Sequence, residues 1–90
     1  MTLLRDLDII NEKGLHARAS AKFVETVERF DATALVEKDG MSVSGDSIMG
    51  LLMLAASRGT TIRVTTSGAE AEALMTALAD LLADYFGEGG

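Results

Sequence analysis

The chain has 90 residues, of which 48% are apolar and only 4% aromatic, and a formal net charge of −6. That length fits one domain, residues 1–90, with a modest core and little room for a deep catalytic cleft. The lack of cysteine excludes a disulfide framework and a thiolate metal site, and eight basic against fourteen acidic residues argue against a nucleic-acid partner.

No stretch reaches the roughly 18 apolar residues of a membrane span. No basic-then-apolar leader opens the chain, so a cytoplasmic protein without membrane insertion is expected. No proline occurs, so the turns rest on Gly, Asn, Asp and Ser. No internal repeat or linker interrupts the pattern.

From the start, Thr2–Ile10 places Leu3, Leu7 and Ile9 on one parity and Asp6 and Asp8 on the other, which predicts a strand in which Arg5 breaks the pattern. Asn11-Glu12-Lys13-Gly14 reads as a loop. From Ala17 to about Phe30, Ala19, Phe23, Val27 and Phe30 recur at helical spacing. Thr33–Lys38 is a strand, Asp39-Gly40 the dipeptide of a tight hairpin turn, and Met41–Ser44 the returning strand. A short helix is expected from Ile48 to Ala55, with a glycine stop near Ser57-Arg58-Gly59.

Thr61–Ser67 alternates Ile62 and Val64 with Arg63 and Thr65, as a half-buried strand does. Ser67-Gly68-Ala69-Glu70 reads as a capping box opening a last helix. Its stripe of Leu74, Leu78, Leu81, Leu82 and Tyr85 reads as core, and Gly87-Glu88-Gly89-Gly90 as a frayed tail. The order β-α-β-β-α-β-α, with an antiparallel hairpin and amphipathic helices, predicts an α+β fold: one sheet with a wet face and a helix-covered face.

The only histidine, His16, falls between a glycine-containing loop and the start of a helix. The first N–H groups of a helix lack intrahelical partners and the dipole is positive there, so an anion is stabilised at that place. Arg18, two residues on, carries a fork of donors suited to phosphate oxygens. Neutral imidazole is a nucleophile near neutral pH, and a phosphoramidate is a high-energy linkage that favours onward transfer. The backbone N–H groups of Ala17 and Arg18 and the Arg18 side chain suit such a charge without trapping it. A lone histidine at a helix start is more often an exposed capping residue, and the residues alone leave both readings open. One histidine without cysteine does not build a typical zinc site, and neither a metal nor a cofactor is expected.

The run Gly14-Leu15-His16-Ala17-Arg18 resembles the active-site signature of the HPr family, the histidine phosphocarriers of the bacterial phosphotransferase system. Gly45-Asp46-Ser47-Ile48-Met49-Gly50-Leu51 resembles that family's regulatory-serine segment, in register with the first motif and with the same order of elements. The resemblance implies a four-stranded antiparallel sheet covered on one face by three helices. It implies that His16 accepts a phosphoryl group through Nδ1 from phosphorylated enzyme I and passes it to an enzyme IIA-type acceptor, with Arg18 contacting the phosphoryl group. The chain would then be a stoichiometric carrier and not an enzyme with turnover, and partner exchange favours a monomer. Ser47 would be the target of a serine kinase/phosphorylase.

Ser47 also stands at the expected N-cap of the second helix, where it is either a simple cap or a phosphorylation site that would place about −1.5 to −2 charges there. Ile48, Met49, Leu51, Leu52, Met53 and Leu54 form a nearly unbroken apolar run, of which at least three are expected in the core. Some of Ile48, Met49 and Leu52 are then left to face solvent or a partner. Two departures stand out. Ala19 replaces the proline common after the motif arginine and, with Ser20, is similar to the variants of nitrogen-related relays. Cations near His16 are few (Arg18, Lys22, and Lys13 or Arg58), with Glu25 and Glu28 on the same helix, so electrostatic steering is expected to be weaker and apolar contact from the second helix proportionately more important. The competing readings are a regulatory module of the same fold acting through Ser47, and a small hydrolase with His16 as general base.

Overall fold

A computed structural model describes residues 1–88. Thr2–Asp8 (β1), Ala17–Glu28 (α1), Thr33–Lys38 (β2), Met41–Ser44 (β3), Ile48–Met53 (α2), Thr61–Ser67 (β4) and Ala71–Ala83 (α3) follow in order. A 3-10 turn, Tyr85–Gly87, ends the succession. The strands form one sheet in the order β1-β4-β2-β3, with every pair antiparallel, so the fold is the expected α+β arrangement of a four-stranded sheet and three helices.

The period-2 pattern of the strands decides which side is dry. Leu7, Ile62, Val64, Thr66, Ala34 and Val36 are buried, and the apolar ones join Phe23, Val27, Leu51, Leu74 and Leu78 of the helices in one core. On the other face Thr65 lies between Leu4 and Leu35, and Arg63 between Asp6 and Glu37. There Arg63 Nε donates to Asp6 Oδ1 at 3.0 Å. Arg5 pairs with Val64 on the covered parity yet remains exposed, because β1 is an edge strand. The hairpin turn takes the left-handed conformation expected of Asp39-Gly40, with φ of 51° and 81°.

Several boundaries differ from the sequence reading. β1 ends at Asp8, but Ile9 stays buried, donating to the Thr60 carbonyl at 2.9 Å and accepting from Gly59 N–H at 2.8 Å. α1 ends at Glu28, and α2 at Met53, after which Ala55 turns left-handed at φ 51°. The capping box does not form. Ser67 belongs to β4, where its register partners are Thr2 and Thr33 and its hydroxyl hydrogen-bonds with that of Thr2. Glu70 is the N-cap of α3, and its carboxylate accepts Asp31 N–H at 2.7 Å.

Along α3, Leu74, Leu78 and Leu82 are buried and Leu81 partly so, whereas Tyr85 is exposed. Tyr85 and Phe86 both adopt left-handed φ, of 56° and 53°, and past this bend it is Phe86, not Tyr85, that is buried. Glu88 is ordered against the protein and not part of a frayed tail; Gly89 and Gly90 of that expectation lie outside the described residues.

Leu78 is fully buried and Leu4 is 61% exposed on the open face. Leu78→Ala should cost about 2–5 kcal/mol of unfolding free energy in a urea titration, and Leu4→Ala within about 0.5 kcal/mol. Equal losses at both positions would contradict this division of the sheet's faces.

Candidate active site

The loop before α1 is built around two residues. Asn11 is fully buried, and its Nδ2 donates to the Gly14 carbonyl at 2.8 Å while Gly14 N–H donates back to the Asn11 carbonyl at 3.2 Å. Gly14 takes φ +65°, and a Cβ there would lie 2.4 Å from the Ala56 carbonyl oxygen, so glycine is required sterically as well as conformationally. Leu15 N–H then donates to that same Ala56 oxygen at 2.9 Å, fastening the loop to the chain that leaves α2.

His16 is consequently delivered as the N-cap of α1, in extended backbone conformation. Its carbonyl accepts Ser20 N–H at 2.9 Å, and its ring nitrogen Nδ1 accepts Arg18 N–H at 3.3 Å. The imidazole thus does the work usually left to a Ser or Asp cap, and Nδ1 sits where the unpaired N–H groups and dipole of the helix favour negative charge. Ala17 and Arg18 are the first two helical residues, both exposed. Ala19 is fully buried, and Ser20 donates its hydroxyl to the Leu15 carbonyl at 3.2 Å.

Two structural facts were not legible in the sequence. Glu88, 72 residues away, reaches the ring: one carboxylate oxygen pairs with His16 Nε2 and the other accepts Asn11 Nδ2 at 3.0 Å. Lys22 Nζ donates to the Phe86 carbonyl at 2.5 Å, tying α1 to the terminal turn. The cleft around His16 is lined by Glu12, Lys13, Arg18, Lys22 and Glu88 among others, so three of the four expected cations gather there and Arg58 does not. No local signal in the sequence marks Glu88; only the buried Phe86 two residues earlier shows that the chain returns to this place.

At the second motif, Ser47 is the N-cap of α2 and its hydroxyl accepts Gly50 N–H at 3.0 Å. Ile48 and Met49 are exposed, Leu51 and Leu54 are buried and Leu52 is half-buried. The core share of the run is therefore two residues and part of a third, fewer than the expected three, because α2 is only six residues long. Met53, part of that run but not among the residues expected to face outward, is 64% exposed. Among the described residues no helix is long and apolar enough to cross a membrane, and no group of three His, Cys, Asp or Glu side chains is placed to hold a metal.

Burial alone pushes the Glu88 carboxyl up, but hydrogen bonds from Asn11 and His16, together with the charges of His16 and Lys22, hold it below the usual carboxylate range. With the folded value below the unfolded one, the contact stabilises the fold above the ordinary glutamate pKa of about 4.3. That contribution fades as pH falls through the lower folded value. Amide protection at Phe86–Glu88 should therefore decline on acidification through this window. Glu88→Ala should show weak protection already at neutral pH and no such step; an identical profile in both proteins would mean that the contact contributes nothing.

The family description "PTS HPr component phosphorylation site" matches residues 4–84. Phosphocarrier protein HPr of Neisseria meningitidis is 51% identical over 87 residues, covering 97% of this chain and 98% of that one. Phosphocarrier protein HPr of Cupriavidus necator is 45% identical, with the same coverage. Among solved structures, HPr-C-His from Thermoanaerobacter tengcongensis superposes with a TM-score of 0.91 at 38% identity, over 96% of this chain and 97% of that one. HPr from Bacillus anthracis gives 0.84 at 39% identity, over 88% and 94%. Matches of sequence and fold over nearly the whole chain show that it belongs to the HPr family, the phosphocarriers of the phosphotransferase system.

Proposed function

We propose that His16 Nδ1 accepts a phosphoryl group from phosphorylated enzyme I and passes it to an enzyme IIA-type acceptor. The observation that carries this reading is the placement of Nδ1 at the start of α1, where it accepts the Arg18 N–H. In the acceptor step the Nδ1 lone pair forms the N–P bond as the donor's P–N bond breaks, its electron pair returning to the donor's ring nitrogen. The Arg18 N–H that Nδ1 holds at 3.3 Å is then released to a phosphoryl oxygen. The N–H groups of Ala17 and Arg18 and the Arg18 guanidinium surround the transferred group.

The same reading makes residues 1–90 a single-domain, monomeric, cytoplasmic carrier that needs no cofactor. Ile48, Met49 and Leu52 of α2 supply apolar contact to partners; exposed methionine suits several different surfaces in turn. Ser47, half-buried at the cap of the same helix, is the site for a serine kinase/phosphorylase, and its modification sets negative charge beside that contact surface. The regulatory reading is favoured by one observation, the position of the Ser47 hydroxyl next to exposed Ile48 and Met49. It is compatible with carriage on His16.

Mixed with enzyme I and labelled phosphoenolpyruvate, the protein should take up label that resists alkali and is lost in acid, and His16→Ala should take up none. Arg18→Ala should slow uptake by about 100-fold, the lower end of what the loss of one donor to the developing charge costs. An unlabelled wild type beside an active enzyme I would refute the carrier reading. In the same assay Ser47→Asp should weaken acceptance from enzyme I, and an unchanged rate would remove Ser47 from the docking surface.

A further inference from the structure

Two contacts on opposite sides of the His16 ring specify one tautomer of the neutral imidazole. Nδ1 accepts a backbone N–H from Arg18, which it does only with its lone pair free. Nε2 faces a Glu88 oxygen, and an ionised carboxylate only accepts, so Nε2 carries the proton. The carboxylate is itself fixed, since its other oxygen accepts from the buried Asn11 amide. The turn that delivers it is anchored by buried Phe86 and by Lys22 on the Phe86 carbonyl.

We propose that Glu88 is a positioning residue for the phosphoryl transfer: by accepting the Nε2–H of His16 it holds the imidazole in the tautomer whose Nδ1 lone pair is the nucleophile. This rests on the carrier reading given above. Forming the N–P bond at Nδ1 while the proton stays on Nε2 leaves the ring positively charged, and Glu88 faces that charge directly. On onward transfer the P–N electron pair returns to Nδ1 and the neutral Nε2–H imidazole is restored. No proton enters or leaves in either direction, so one fixed carboxylate serves both acceptance and donation. Glu88 lies on the Nε2 side of the ring, away from the incoming phosphoryl group, and Lys13, Arg18 and Lys22 in the same cleft offset its charge.

The test is nitrogen-15 NMR of the ring in the unphosphorylated protein, together with the rate of label uptake from enzyme I. Wild type should show the Nε2–H tautomer predominating. Glu88→Ala, a change beyond the last element, keeps the Arg18 N–H on Nδ1 and should therefore show a reduced share of the Nε2–H tautomer and accept the phosphoryl group about 10-fold more slowly, the scale on which orienting partners of histidine act. Glu12→Ala removes a charge from the same cleft without touching the ring and should leave the tautomer as in wild type. An unchanged tautomer in Glu88→Ala, an equal shift in Glu12→Ala, or faster uptake by Glu88→Ala (the tail then being a block) would each overturn the proposal. A wild type that takes no label at His16 would defeat the carrier reading, while the tautomer arm would still report on the contact.

Discussion

The approach of the Gly14 backbone to Ala56 is the constraint on which the arrangement of the site depends. Any side chain at position 14 would collide with the Ala56 oxygen, and that oxygen is already committed to Leu15 N–H. The start of α1 and the exit of α2 are therefore joined backbone to backbone, with no flexible side chain between them. Ala55 bears part of the cost, since a non-glycine residue in left-handed backbone is disfavoured by about 1–2 kcal/mol. In return His16 and the exposed residues of α2 keep a fixed relation to one another, as the proposed docking of partners through both elements would require.

The electrostatics fit a group that must be held and then released. The chain is acidic overall, yet Lys13, Arg18 and Lys22 gather around the ring. A helix N-terminus contributes on the order of 0.3–1 kcal/mol to an exposed anion, and exposed cations give comparable, salt-screened amounts. In the proposed carrier reading such terms would select the phosphoryl group's position and orientation. They would be too small to make the phosphorylated carrier a thermodynamic sink, whereas a closed cage of buried donors would be. Shallow stabilisation on an open surface suits that proposed transfer and asks for no deep cleft in a chain of this size.

Much of this was written locally in the sequence. Alternation in Thr61–Ser67, the Asp39-Gly40 turn and the helical stripe through Phe23 and Val27 each state a period or a backbone preference that tertiary packing reinforced. His16 and Ser47 were legible because capping is a local property. Failures came where two local signals competed or where the partner was distant. Ser67 suits a cap, but pairing with β1 and β2 on both sides kept it in the sheet. Tyr85 continues the leucine stripe, but burying Phe86 required the chain to leave helical geometry there. Glu88 carries no periodicity, cap or motif; its place at His16 depends on a contact spanning nearly the whole chain.

That contact follows from the core more than from the carboxylate. Holding Tyr85 and Phe86 in left-handed backbone costs about 1–2 kcal/mol each. Burying the Phe86 side chain contributes about 1.5–3 kcal/mol. Lys22 adds a charged hydrogen bond to the Phe86 carbonyl, so the turn is near balance before Glu88 is considered. Once Phe86 is fixed, Glu88 is only two residues away and has few positions left to sample, so placing its carboxylate on His16 loses little further entropy. The Asn11 amide meets it there, already oriented by the Gly14 carbonyl. The loop that presents His16 and the turn that presents Glu88 therefore share one buried side chain, and the geometry of the imidazole ring is set from both of these segments at once.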